Sequence, residues 1–410
     1  MTEERHSEAE GSGLLGRTFV ALCLVYFLNS FFITPFSAIF PVYVETDLER
    51  LPWFTGYLRG LMLVLGGIFA VVSGRLSDLL GLKITLLLGL GGYMLTGLVF
   101  HVADPLLLTL LIFGMGMATG PWSTAGQSYL ITGVAARRLG LGGALYFLSN
   151  TAGGAVGGLV FGILKTEWSF PAIGTFMSFG LVAVFFLAIL LMPGGERRTP
   201  VSSDTPFALW SAYLPLLRRR DVHLLIGLRY MITSFWGMAT LLMPLLIYRA
   251  SQSASTAAYY GAVSLAVAAA CQLLTGLIRD RYGRTVPLIV SSLGIVISSA
   301  FLVLNTDSVS GLFIFGTALT ATAWAVSTLV PALIAEVSLD GEKNRLIGLG
   351  HMVWSGSMVT GSIVGGILVE VGPHLPFVLG VIHASVGTLC IWRLCTRLDS
   401  NAEAGTDGAA

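Results

Sequence analysis

GRLSDLLGLK at 74–83 and GLIRDRYGRT at 276–285 share one frame: a Gly, an Asp four residues on, a Gly three beyond that, and a base within the next two positions. Each copy closes a long apolar run in a chain where charge is otherwise scarce. Hydrophobic residues make up 55% of the sequence and charged residues 11%, with a mean hydropathy of +0.82. Ordinary soluble domains carry about 25% charged residues, so this is the composition of a membrane protein. A hydrocarbon core of ~30 Å takes about 20 apolar residues per helical crossing, and only helices or closed barrels satisfy their backbone groups there. The apolar runs are too long and too unalternating for barrel strands, which predicts an all-α integral membrane protein.

Apolar runs between charged or turn-rich breaks give twelve transmembrane spans: 16–44, 54–77, 83–102, 105–133, 139–164, 169–192, 221–249, 257–279, 285–304, 308–336, 345–370 and 374–396. The long polar break PGGERRTPVSSDTPFALWSAYLPLLRRR, 193–220, divides them six plus six. The expected organisation is an N-terminal tail (1–15), a six-helix bundle (16–192), a linker (193–220), a second bundle (221–396) and a C-terminal tail (397–410). Of the 23 Lys and Arg, all but Arg50, Arg59, Lys165, Arg229 and Arg249 fall on the side that holds both tails and the linker. Short cytoplasmic loops retain positive charge, so both termini are expected in the cytoplasm. Trp53, Trp168, Trp210 and Trp392 stand near span ends, where Trp favours the membrane interface. The halves echo each other beyond the opening frame. FPVYV (40–44) answers MPLLI (243–247), TGYLRGLMLV (55–64) answers AAYYGAVSLA (257–266), WSTAGQSYLI (122–131) answers AVSTLVPALI (325–334), and GGAVGG (153–158) answers GSIVGG (361–366). Offsets of 202 to 208 residues, in order along the chain, indicate a duplicated six-helix half.

Other classes fall away on composition and spacing. A net charge of +1 and a pI near 7.7 argue against a nucleic-acid partner, which calls for a strongly basic face. Cys23, Cys271, Cys390 and Cys395 lie in or at the ends of apolar spans, with neither zinc-site nor disulfide spacing, and read as packed thiols. No metal or cofactor is expected. The start, MTEERHSEAEGSG, is too acidic and polar for a cleavable signal peptide. The phosphate loop of an ATP-driven pump, GxxxxGK[ST], does not occur. Nor does the interfacial cluster of acids, His or Cys that a membrane enzyme would show.

A duplicated six-helix half with GxxxDxxG after spans 2 and 8 resembles the major facilitator superfamily, over nearly the whole chain. In the first copy Gly74, Asp78, Gly81 and Lys83 match the family signature, with Arg75 nearby, while Leu79 and Leu82 stand where bases are usual. In the second, Gly276, Asp280, Arg281, Gly283 and Arg284 all match. The resemblance implies two pseudo-symmetric bundles of parallel repeats with a site near the membrane midplane. It also implies that Asp78 latches against span 11, and Asp280 against span 5, in the outward-facing state. A topogenic loop with a solvated carboxylate is the plainer alternative. GGAVGG is close to an antiporter-associated motif, with Gly154 in place of its Pro, though tight packing explains it equally well. IFPVYVETDL (39–48) looks like the end of the first helix in drug-efflux members. FGMGMATG (113–120) resembles the family's fourth-helix motif, with Leu110 and Phe113 replacing the Arg and Gln found there; that Arg is linked to proton coupling in the family.

By the same resemblance spans 1, 4, 7 and 10 line a central cavity, which makes Asn29, Trp122, Trp236 and Trp324 substrate-binding candidates near mid-span. Gln127 lies a turn below Trp122, and Tyr230 and Ser234 share span 7 with Trp236. Three midplane Trp imply either an aromatic pocket or helix packing. Intramembrane charge is expensive and usually functional. Arg229, about 12 Å into its span at 1.5 Å per residue, either snorkels to the interface or meets an anionic group or gating partner. Arg59 stands close enough to the outer edge to snorkel. His351 and His383 either pack or titrate near neutral pH, and His351 is the candidate for a proton-linked role. No acid falls in mid-span: Glu45, Asp47, Asp104, Glu167, Asp307 and Glu370 sit at outer edges, Asp78, Asp280 and Glu336 at inner ones. Export of cationic drugs usually relies on an embedded carboxylate. The expected activity is therefore secondary transport of a small neutral or anionic amphipathic solute by alternating access, with efflux and proton coupling as one form of it. The alternatives are a sugar or metabolite symporter or facilitator of the same fold, or a non-transporting membrane sensor. The expected setting is a bacterial cytoplasmic membrane, with the protein a monomer whose partners are its solute and the lipid bilayer.

Overall fold

Apolar segments of 19 to 32 residues become helices long enough to cross a membrane, twelve among the described residues. The computed structural model describes residues 16–407 except 51, 166, 195–208 and 340. The expected N-terminal tail, half of the linker and the side chains of Trp53 and Trp210 lie outside the described residues. In order, the spans are Arg17–Thr46, Phe54–Leu80, Leu82–His101, Pro105–Gly133, Ala136–Leu164, Phe170–Leu191, Arg220–Ser251, Tyr259–Tyr282, Thr285–Val303, Val309–Val337, Lys343–Val371 and Leu375–Ser400. Several begin where a side chain satisfies an orphan amide of the first turn. Asp104 accepts from Leu107 N (2.8 Å) ahead of span 4, Ser253 from Thr256 N (3.2 Å) ahead of span 8, and Ser308 from Gly311 N (3.1 Å) ahead of span 10.

Span 1, expected as one helix, is two: Arg17–Ile33 and Phe36–Thr46. Pro35 explains the break, since it brings no amide for the carbonyl four residues back and its ring crowds that turn. A short helix at Leu209–Leu217, inside the expected linker, is a further departure. Trp168 is exposed just before span 6, whereas Trp392, also exposed, stands eight residues inside span 12, which runs on to Ser400.

The described residues form two units. The first holds those of Met1–Arg138, Leu145–Ala212 and Leu339–Met352; the second holds those of Leu139–Ala144, Tyr213–Ser338 and Val353–Ala410. The start of span 5 thus belongs to the second unit, and the start of span 11 to the first. Aromatic rings cluster around Phe36–Thr46 in the first unit: Phe36 stacks on Phe40 at 4.7 Å, Phe100 on Phe170 at 6.0 Å, and Tyr43 packs edge-on to Phe100.

Lipid tails are as apolar as Leu, so helices in a membrane associate through close packing and small residues. The repeated glycines do this in both units. Gly153 and Gly157 of span 5 press on the backbone carbonyls of Phe27 and Phe31, and Gly180 of span 6 faces the Phe32 ring. In the second unit Gly361 presses on the Ser234 carbonyl, Gly365 meets Met238, and Gly380 faces the Phe235 ring. The sequence echo between GGAVGG and GSIVGG is thus a packing echo. The opposite faces carry bare aliphatics, such as Leu159 and Ile163 at 72% exposure, consistent with contact to lipid.

Candidate functional site

The two copies of the opening frame fold into matching corners. Gly81 and Gly283 have φ of 87° and 81°, the left-handed region that Gly enters without steric cost. Each donates its amide four residues back, to Ser77 O at 3.1 Å and Arg279 O at 2.9 Å.

In the first unit, Asp78 Oδ1 accepts from Asn344 Nδ2 at 2.8 Å, and Oδ2 lies 3.4 Å from Arg345 Nε. Arg345 also donates to Ala212 O (2.6 Å) and Gly341 O (3.1 Å), tying the Leu209–Leu217 helix to the same point. In the second unit, both Asp280 oxygens accept backbone amides at the start of span 5, Gly140 N and Leu141 N, each at 2.9 Å. A carboxylate on a helix N-terminus gains from hydrogen bonds and the helix dipole together. Close approach makes this reachable: a Cβ on Gly276 would stand 2.6 Å from Gly140 O. Arg279 bridges Asp280 (3.1 Å) and Glu336 (2.7 Å), and Arg284 continues from Glu336 (2.7 Å) to Asp399.

Other members of the frame sit elsewhere. Lys83 Nζ donates to Ile189 O at 2.7 Å, anchoring the end of span 6. Arg281 is exposed over the Tyr282 ring, and Gly74 and Arg75 are buried. The partners Asn344, Arg345, Gly140 and Leu141 were missing from the sequence reading. A signal for them existed: RRLG at 137–140, at the start of span 5, mirrors NRLIG at 344–348, at the start of span 11.

The mid-span candidates separate. Trp122, Asn29 and Gln127 belong to the first unit, all of them buried. Trp122 stacks on Tyr26 at 3.9 Å and 16°, its carbonyl accepts from Tyr26 Oη at 2.7 Å, and Gly89 of span 3 abuts its backbone. Of the two readings for that ring, its surroundings match packing. Asn29 is 2% exposed, and its Oδ1 meets no donor among the described residues. Trp236 and Trp324 meet in the second unit, edge to face, with centroids 6.2 Å apart, and both are half-buried. Arg229 is 9% exposed and turns sideways, Nη1 donating to Ser327 Oγ of span 10 at 3.4 Å. A snorkelling side chain would carry its head to the span end instead. Tyr230 Oη lies 3.3 Å from Thr360 Oγ1, while Ser234 is buried under Gly361. His351 and His383 are both half-buried, His351 in the first unit.

Arg59 also departs from snorkelling. Pro41 deprives the Ser37 carbonyl of its helical donor, and Arg59 Nη2 donates to that carbonyl. Beside it lies a cavity of about 240 Å³ lined by Pro41, Glu45, Arg50, Thr55, Gly56 and Arg59.

The family model of the Major Facilitator Superfamily matches residues 22–331 and 236–409. Over 150 residues the chain is 29% identical to the class C tetracycline resistance protein of Escherichia coli, covering 36% of this chain and 37% of that protein. Over 154 residues it is 24% identical to the class H tetracycline resistance protein of Pasteurella multocida, covering 37% and 38%. The chain thus spans little more than a third of the length of the curated relatives it matches. Among solved structures, a bacterial homologue of the iron transporter ferroportin aligns with TM-score 0.74 at 12% identity, covering 92% of this chain and 99% of that one. The human organic anion transporter MFSD10 aligns with TM-score 0.71 at 15% identity, with the same coverage. The Escherichia coli fucose:proton symporter FucP aligns with TM-score 0.70 at 16% identity, covering 92% and 98%.

Proposed function

Because the chain belongs to the Major Facilitator Superfamily, we propose that this multi-pass membrane protein is a secondary transporter that exports a small amphipathic solute, neutral or anionic, by alternating access. The observation that carries the reading is the matched pair of corners. Asp78 engages the first turn of span 11, and Asp280 the first amides of span 5. Contacts of this kind hold one arrangement and release in another, which is what a device that alternates between two openings requires. In this reading Asp78 and Asp280 are the engaging groups of the two latches, Gly81, Gly283 and Gly276 shape their corners, and Gly74, Arg75, Lys83, Arg281 and Arg284 are the rest of the frame that holds them. The part that two similar proteins play in tetracycline resistance supports export.

The solute class follows from charge. An export path for cations favours a carboxylate in mid-span, and the acids of this chain stand at span ends, while the mid-span cavity candidates are Asn29, Gln127, three Trp and Arg229. Both termini are placed in the cytoplasm on the Lys and Arg distribution, and a bacterial cytoplasmic membrane fits the organisms of the two resistance proteins. Proton coupling would run through edge carboxylates or His351.

The test is flux into everted vesicles and proteoliposomes from an unbiased metabolite panel, with and without a pH gradient. Saturable movement of a neutral or anionic solute is expected. Equal rates with and without the gradient would exclude proton coupling, and a panel with no transported member would overturn the transport reading.

A further inference from the structure

Arg229 is a buried cation whose counter-charge is missing among the described residues. Its Nε meets no acceptor, its one hydrogen bond is the 3.4 Å contact to neutral Ser327, and no carboxylate lies within ion-pair distance. An unpaired charge in a low-dielectric setting is strongly disfavoured, and natural chains keep one where a partner arrives from outside.

The surroundings say what kind of partner. Arg229 and Trp236 are seven residues apart on span 7, so they share a face, about 10 Å apart along the axis. Ser327 and Trp324 are one turn apart on span 10. Both inter-helix contacts, Arg229 with Ser327 and Trp236 with Trp324, therefore fall on one seam of the second unit. The half-buried indoles present apolar ring surface at one end, and the guanidinium, with its fork of donors, presents a carboxylate-matched end.

We infer that this seam binds an organic anion carrying a ring: a carboxylate or sulfonate on Arg229 and Ser327, joined by a short chain to an aromatic or fused-ring body against Trp236 and Trp324. The inference names the substrate class within the transport reading above and rests on it for biological meaning, while its binding geometry is testable alone.

The test uses the purified full-length protein in detergent and two probes of equal shape, 4-phenylbutanoate and its uncharged amide, followed by calorimetry. The wild type should bind the acid at least tenfold more tightly than the amide. R229Q should abolish that preference by weakening the acid alone, R229K should keep part of it, and W324A should weaken acid and amide alike. Equal affinity of the wild type for the two probes, or an acid preference that survives R229Q, would overturn the inference. Should R229Q not fold, the wild-type comparison and R229K still decide. If the acid binds as expected and no solute moves in vesicles, the transport reading fails and the anion site stands. If solutes move and the acid preference is absent, the anion site fails alone.

Discussion

Pro41, Ser37 and Arg59 form a small closed argument at the residue scale. The proline leaves a carbonyl without its helical donor, and an arginine from the next span supplies one. Ser37 and Arg59 are both exposed, so R59Q should lower stability by about 0.5–1 kcal/mol, the net contribution of an accessible hydrogen bond. In a P41A background the backbone amide returns, so the same R59Q change should cost little. Chemical unfolding of the four proteins in detergent gives the coupling energy, and two independent, additive effects would contradict this account. Arg59 was visible in the sequence as an early-span charge and Pro41 as a mid-span proline. Their connection was hidden because the two residues belong to different spans, and no local pattern says which way a long side chain bends. Arg229 was legible in the same partial way. Its depth followed from counting, whereas its sideways reach to Ser327 depends on how span 7 is rotated against span 10.

At the scale of the element, the glycine pairs decide which helices touch. Gly157 and Gly361 sit directly on neighbouring carbonyls, whereas a Cβ at Gly158 would meet nothing within 4 Å. G157L and G361L should each cost roughly 1–3 kcal/mol or prevent folding, since overpacked interfaces move backbone. G158L should change the melting temperature in detergent by little. Similar losses at 157 and 158 would mean that the whole motif, and not one face of it, is under constraint. The repeat was readable from GGAVGG and GSIVGG, and so was the existence of a packing role. Which glycines press on a neighbour was unreadable, because in a membrane the lipid face and the packed face are equally apolar. Pro35 announced the break in span 1, yet an apolar run shows no dip in hydropathy there. The Leu209–Leu217 helix escaped notice because it sits inside a charged linker.

Across the whole molecule, the span count and the duplication were the most legible features: apolar runs gave twelve spans, ordered echoes at offsets of 202 to 208 gave the repeat, and the structure returns twelve spans among the described residues. The balance between the two corners needed coordinates. Asp280 gathers two amides and pairs with Arg279, the first of a chain of four charged side chains, while Asn344 and Arg345 are among the side chains that meet Asp78. Under the latch proposal, D280N should shift cysteine-accessibility patterns in vesicles further than D78N does. It forfeits an anion on a helix N-terminus, an interaction of about 0.5–2 kcal/mol. Unchanged accessibility in both variants would reduce the corners to topogenic loops. E336Q should lower thermal stability more than D399N, because Glu336 holds two arginines and Asp399 holds one. The choice of acceptors at the two corners also bears on how the protein can drift over evolutionary time. Asp78 depends on the chemical identity of two side chains, so changes at 78, 344 and 345 should be correlated among descendants. Across helices Asp280 is met by peptide amides that any residue but proline supplies, so position 141 is restricted little beyond that and position 140 also in size. Covariation across relatives should therefore tie 78 to 344 and 345 in the first corner, whereas in the second it should appear among the charges at 279, 280, 284, 336 and 399 and not between 280 and the amide donors at 140 and 141.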